Sequence, residues 1–250
     1  MTLAIILLLG QPSFALFDNG GFESGDFTGW DLDFGYRTGS SIIWGQSDHG
    51  LYDVIDSSGT MYGQSLDVNP YNGSYMARIN DINGSNHATM LSQYDTLEQA
   101  DIDAGSTLYV NWGAMLIEPS NEHPQNAQPF FGITVYVNGG VAQAFSADAT
   151  AHSSDPTWIV AGDDGISPLY YKNGTWNFDL SSYSVGDTIG VELYVADCDW
   201  GGHGGYAFLD GIGTTYQPPS NGGNPVPEPA TMLLLGPALL GLIGLKKKRA

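Results

Sequence analysis

Cysteine is nearly absent from this chain of 250 residues: Cys198 is the only one. No intramolecular disulfide can form, so the fold must rest on a hydrophobic core, which a chain of this length can bury. Basic residues are almost as scarce, seven Lys and Arg against 27 Asp and Glu, for a formal net charge of -20. Four of those seven (Lys246, Lys247, Lys248 and Arg249) sit at the extreme C-terminus, leaving Arg37, Arg78 and Lys172 for everything before them. A nucleic-acid partner is thereby excluded, because such partners are bound by gathered Lys and Arg that displace counterions from phosphate. Anionic glycan or lipid surfaces would also repel the body unless a divalent cation intervened.

Sequence motifs for catalysis and for transition metals are missing too. There is no His-x-x-x-His or Cys-x-x-Cys spacing among His49, His87, His123, His152, His203 and Cys198, so nothing in the sequence points to zinc. Cys198 lies between Asp197 and Asp199, which disfavours a thiolate nucleophile. No Gly-x-Ser-x-Gly elbow occurs, and Glu23, Glu98, Glu118, Glu122 and Glu192 are too dispersed to form the paired acids of glycoside hydrolysis within one strand. No catalytic residue is assigned; the alternative is an extracellular carbohydrate-active hydrolase whose acids meet only in three dimensions. Helical periodicity is also absent, the best stretch, Thr96 to Ala104, being short enough to read as a loop.

What is present starts at the two ends. Residues 1–15 hold an apolar run from Leu3 to Leu9, a Gly-Gln-Pro break and small residues at Ser13 and Ala15, the pattern of a secretory signal peptide cleaved after Ala15. No Lys or Arg precedes the apolar run, so either translation starts upstream or Met1 is misassigned. At the other end a Pro/Gly/Asn linker, residues 217–225, leads to Val226, Pro227, Glu228 and Pro229, then an apolar stretch over residues 230–245, then the basic cluster. Sixteen helical residues reach about 24 Å, short of a hydrocarbon core of about 30 Å, so the segment suits transient rather than permanent membrane insertion. The terminal cations would hold the C-terminus in the cytoplasm with the body outside.

Val-Pro-Glu-Pro followed by a short apolar segment and a basic terminus resembles the PEP-CTERM sorting signal of Gram-negative bacteria. The resemblance implies a membrane-associated precursor passed through the export machinery and handled at Val226 to Pro229 by exosortase, with the tail removed or exchanged for an anchor. It also implies a mature form at the cell surface or in the extracellular matrix. It implies no particular activity.

Between the ends, apolar residues alternate with polar ones at the period of strands. Phe131, Ile133, Val135 and Val137 run into Asn138-Gly139 and then Val141 to Phe145, a hairpin signal; Leu169 to Leu180 predicts a second hairpin turning at Asn173-Gly174; and Ile189, Val191, Leu193 and Val195 alternate again. Further strands are expected over 40–45, 74–79, 89–94, 107–115, 158–161 and 206–209. Asp outnumbers Glu heavily, which favours turns over helices. About ten short strands with no internal repeat predict an all-β fold, one antiparallel β-sandwich (jelly roll) over residues 16–216.

The opening Asn19-Gly-Gly-Phe-Glu23 with Phe27 and Trp30, and the closing Gly205-Tyr-Ala-Phe-Leu-Asp210-Gly-Ile212, resemble the first and last strands of galactose-binding-like jelly rolls, including carbohydrate-binding modules. That resemblance implies a structural Ca2+ held by Glu23 and Asp210 with carbonyls of Asn19, Gly21 and Asn72, and extracellular polysaccharide as a possible partner. The densest polar cluster, Asp197 to Tyr206, offers Asp197, Asp199, Trp200 and His203 as ligand contacts, or else a glycine-permitted turn. Trp44, Trp158, Trp176 and Trp200 are the candidates for stacking on sugar, whereas Trp30 or Trp112 belongs in the core.

Overall fold

Alternation along a strand turns one face inward, and two such sheets bury those faces against each other. A computed structural model of the protein describes residues 16–58, 66–81, 84–118, 123–163 and 167–214. The twelve strands are β1 (Asp31–Thr38), β2 (Ser41–Trp44), β3 (Tyr52–Ile55), β4 (Met76–Ile79), β5 (His87–Thr96), β6 (Thr107–Ile117), β7 (Phe130–Val137), β8 (Gly140–Asp148), β9 (Ile159–Asp163), β10 (Pro168–Asp179), β11 (Thr188–Ala196) and β12 (Gly205–Gly213). They form two six-stranded antiparallel sheets. The front sheet has the order β2-β1-β5-β11-β7-β8 and the back sheet β3-β4-β12-β6-β10-β9. The all-β sandwich read from the alternation is the fold observed, and the described residues fall within one compact unit.

The core between the sheets takes Leu91, Ile133, Val135, Val191, Leu193 and Val195 from the front and Leu108, Val110, Trp112, Leu116, Ala207 and Leu209 from the back. Trp30 and Trp112 are both buried, as expected. The back sheet is covered on its outer side as well: Met115, Ile117, Leu169, Tyr171, Tyr206 and Phe208 form a second cluster with Val68 and Leu66 packed on it. Hence β6 is buried along nearly its whole length. The front sheet carries no such cover among the described residues.

Three local expectations need correction. Residues 99–104 form a short helix, α1 (Gln99–Ala104), where a loop was expected. Its start is fixed by a capping box between Glu98 and Asp101, in which the Asp101 carboxylate accepts the Glu98 amide. The pair Asn173-Gly174 does not turn: β10 runs straight through it, paired residue for residue with β6. Gly174 is there because the Trp112 ring lies on it, a Cβ at this position falling 2.9 Å from Trp112 Cζ2. By contrast Asn138 and Gly139 adopt positive φ (50° and 76°) and make the expected β7–β8 hairpin. Finally, residues 16–30 are turns rather than a first strand. They plug the end of the sandwich with buried Leu16, Phe17 and Phe22, tied to the last strand where the Ile212 amide donates to the Gly20 carbonyl.

Residues 1–15 and 215–250, including the expected signal peptide and the sorting tail, lie outside the described residues. No helix among the described residues is long and apolar enough to cross a membrane.

Candidate functional site

Because β11 alternates, its core residues Ile189, Val191, Leu193 and Val195 leave Gly190, Glu192, Tyr194 and Ala196 on the open outer face of the front sheet. Pairing with β5 and β7 sets what lies beside them. Gly190 stands between Tyr94 and Tyr136, Glu192 between Ser92 and Thr134, Tyr194 between Met90 and Gly132, and Ala196 between Ala88 and Phe130. Large rings therefore alternate with residues that have almost no side chain.

The rings use that space by lying down. A Cβ on Gly132 would fall 2.6 Å from Tyr194 Cε1 and closer still to Cζ and Oη, so the Tyr194 ring rests on the bare backbone of β7. Tyr94 rests on Gly190 in the same way, with Cζ at 3.0 Å and Cδ1 and Cε1 nearer. Tyr94 and Tyr136 are 6.0 Å apart, and Phe130 meets the edge of Tyr194 at 5.9 Å. The Arg37 guanidinium stacks over Phe130 at 4.5 Å. The result is a strip of four rings, Tyr94, Tyr136, Tyr194 and Phe130, along a sheet face that no other described residue covers with an apolar cluster, with Tyr94 46% exposed at one end.

Glu192 fixes the strip chemically. Its carboxylate accepts the Tyr94 hydroxyl. Partial burial, followed by the bond to Glu192, raises the phenol of Tyr94 above its ordinary range and that of Tyr136 to about 12. Both hydroxyls thus stay protonated donors at any physiological pH. At the Phe130 end the strip opens into a cleft of about 610 Å3 lined by Arg37, Ser40, Gln125, Asn126, Ser146 and Asp148. Arg37 is buried and donates to the carbonyls of Gly39, Asn126, Gln128 and Asp197, which locks the cleft wall to β1.

Asp148, the acid that lines this cleft, is already engaged. Asp148 accepts the Thr150 amide and hydroxyl and the Gln125 side-chain amide. The carboxyls that burial pushes upward are Asp101, Asp197 and Asp210, and none of them lines the cleft.

Among the residues singled out in the sequence, Asp197 is turned fully inward. One of its oxygens accepts the Asn80 amide and the other the backbone amides of Ser85 and His87; burial raises its carboxyl to about 7. It therefore joins the β4–β5 connection to the end of β11 and faces no ligand, a correction forced by the cost of leaving a buried backbone amide unpaired. Asp199 is half-buried, its backbone bonded to Ala127 and Asn86. Trp200 is 61% exposed and stands 4.9 Å from the His123 ring. His203 lies beside His123 and Cys198. Of the other stacking candidates, Trp158 is buried and Trp176 packs on the core.

Glu23 and Asp210 do meet, beside the turn at Asn72. Glu23 Oε1 accepts the amides of Ser74 and Tyr75, and Asp210 Oδ2 accepts that of Asn72 at 2.9 Å. The remaining oxygen, Asp210 Oδ1, is buried without a hydrogen-bond partner, and a Cβ added at Gly21 would sit 3.9 Å from it. Burial and, to a lesser extent, the Glu23 charge raise the Asp210 carboxyl to about 8. An orphaned carboxylate oxygen beside a second carboxylate fits a hard cation. Asn19 fits less well, since its carbonyl already accepts the Phe22 amide and the Trp30 indole.

The carboxy-terminal residues 225–249 match the PEP-CTERM protein-sorting motif. No curated protein matches the chain in sequence. Among solved structures, it is similar to a non-crystalline cellulose specific carbohydrate-binding module, CBM28 (14% identity, 78% of this chain and 91% of that one, TM-score 0.40). It is also similar to CBM27-1 of Caldicellulosiruptor saccharolyticus, solved with mannohexaose (16% identity, 78% and 94%, TM-score 0.40). A third is a cyclase from Fischerella sp. TAU (15% identity, 82% and 98%, TM-score 0.39).

Proposed function

We propose that the chain is an exported surface protein whose sandwich binds carbohydrate non-catalytically on the outer face of the front sheet. The observation that carries this reading is the strip of Tyr94, Tyr136, Tyr194 and Phe130, with two of its rings laid flat over glycines. A flat aromatic ring offers an apolar surface to the C–H face of a pyranose, while the tyrosine hydroxyls and the nearby Glu192 offer directional bonds to its rim. A row of rings along a sheet suits an extended chain better than a single sugar. The net charge of -20 favours a neutral polysaccharide. The sorting motif at residues 225–249 supports export, processing by exosortase at Val226 to Pro229, and retention at the surface or in the matrix of a Gram-negative cell.

In this reading Ca2+ is structural. Glu23, Asp210, Gly21 and Asn72 would hold it, and the ion would neutralise the Asp210 charge and pin residues 16–30 to β12. The test of the function is a glycan-array screen of the full-length protein against neutral and acidic polysaccharides, with wild type compared with Tyr94→Ala and Tyr136→Ala. Binding to neutral chains that both substitutions weaken is expected; no binding to any glycan, or binding indifferent to both, would overturn it.

A further inference from the structure

The loop between β11 and β12 holds a feature that the carbohydrate reading does not use. Cys198 Sγ and ring nitrogens of His123 and His203 lie within 4.8 Å of one another. The three come from places 75 residues apart in the chain, so no motif announced them. Their convergence is built by hydrogen bonds. The His203 carbonyl accepts the Cys198 amide at 2.8 Å, Gly202 donates to Gly84, Asp199 donates to Ala127, and Gln128 holds the His123 carbonyl at 3.0 Å. Positive φ at Gly201 and Gly202 (76° and 86°) lets the loop double back on itself.

The spacing fits a tetrahedral ion. Zn–S of about 2.3 Å and Zn–N of about 2.05 Å at a tetrahedral angle put sulfur and nitrogen roughly 3.6 Å apart. Cys198 Sγ and His203 Nδ1 are 3.7 Å apart. His123 approaches from the other side, its ring 4.9 Å from that of His203, with Nδ1 buried and without a hydrogen-bond partner. Its ligand nitrogen lies within 4.8 Å of the other two ligand atoms, so a small side-chain rotation would bring it to ligand distance. The sulfur is fully buried; burial pushes its thiol up, the backbone amides of His203 and Trp200 acting against that rise without reversing it. As the only cysteine, it has no disulfide partner within the chain.

From this geometry we infer that His123, Cys198 and His203 form a thiolate–bis-imidazole site for a borderline divalent transition ion such as Zn2+, with water in the fourth position beneath Trp200. Binding replaces the thiol proton, which now bonds to the Gly201 carbonyl at 2.9 Å, so one proton leaves per ion bound. Imidazole and thiolate together select against Ca2+ and Mg2+, which want oxygen. The site is thus distinct in chemistry and in place from the Glu23/Asp210 pair.

Co2+ substitution reads the site directly. The full-length reduced protein, titrated with Co2+ in the absence of glycan and with excess Ca2+ present, should develop a sulfur-to-cobalt charge-transfer band and tetrahedral d–d bands. These should saturate at one ion per chain and be erased by Zn2+. Cys198→Ser should lose the charge-transfer band while its circular dichroism stays that of wild type. Should that variant fail to fold, His123→Gln decides the question: it should keep the charge-transfer band and bind Co2+ at least tenfold more weakly. A folded wild-type protein with one titratable thiol and no charge-transfer band would overturn the inference, as would unchanged Co2+ affinity in His123→Gln.

Discussion

Replacing Gly190 by Ala separates binding from folding on the aromatic strip. The added Cβ would press within 3.0 Å of Tyr94 Cζ and nearer to Cδ1 and Cε1, where carbon contacts settle at about 3.5 Å or more. The backbone of a central strand cannot give way, but an exposed ring can, so Tyr94 swings off the sheet and leaves Glu192. Folding loses one solvent-exposed hydrogen bond, about 1 kcal/mol at most, and gains roughly 0.5 to 1 kcal/mol from the reduced freedom of Ala in the unfolded chain. The net change is close to zero, and Tm should stay within about 4 °C of wild type. Binding fares differently: an aromatic anchor is typically worth 2 kcal/mol or more, about a thirtyfold loss of affinity when it is displaced. Gly132→Ala should act in the same way through Tyr194. The assay pairs calorimetric or affinity-gel titration against the polysaccharide retained by wild type with a thermal melt. Wild-type affinity in Gly190→Ala, or a loss of affinity that merely tracks a fall in Tm, would refute the argument that the glycines seat the rings.

Three further outcomes are expected. Stripping divalent ions with EDTA should lower Tm at neutral pH and added Ca2+ should restore it, by about 3 kcal/mol at a hundredfold excess over Kd; Asp210→Asn should abolish the response, and an equal Ca2+ response in that variant would remove Asp210 from the site. Alkaline difference spectroscopy should find Tyr136 ionising near 12 rather than 10; since the folded state keeps a proton that the unfolded state loses, stability falls as pH rises from about 10 to 12, and Glu192→Gln should shift this ionisation, so identical spectra would contradict the Glu192 contact. In cells that possess exosortase, replacing Val226 to Pro229 should leave an unprocessed, membrane-associated precursor, and normal maturation of that variant would refute the assigned role of the motif.

Much of the fold was legible because strand alternation is a local property. The inward rows of β7 and β11 and the Asn138-Gly139 turn could be read straight from residue order. Asn173-Gly174 carries the same turn signal and failed, because pairing with β6 along the full strand and the Trp112 ring above Gly174 outweigh a local preference. Strand β3 was missed, since Tyr52–Ile55 is too short to show a period. Glu23 and Asp210 were named through a resemblance at the two ends of the body, and the structure places them side by side. The aromatic strip was half visible: Gly190, Glu192 and Tyr194 were recognisable as an outward row, as were Gly132 and Tyr136. What stayed hidden was the register that sets Tyr94 against Gly190 and Tyr194 against Gly132. Of the tryptophans whose sequence suggests stacking on sugar, Trp158 is buried.

The sequence by itself determined the sorting tail, the all-β class, the acidity of the body, and which residues of the alternating strands face outward. These depend on composition and on neighbours a few positions apart. Only the tertiary structure decided which outward residues stand together, that the back sheet is covered while the front sheet has no such cover among the described residues, that Asp197 is a buried brace, and that His123 meets Cys198 and His203. Such facts depend on pairing between segments tens of residues apart, and cross-strand register and loop closure are set by the packing of the whole sandwich.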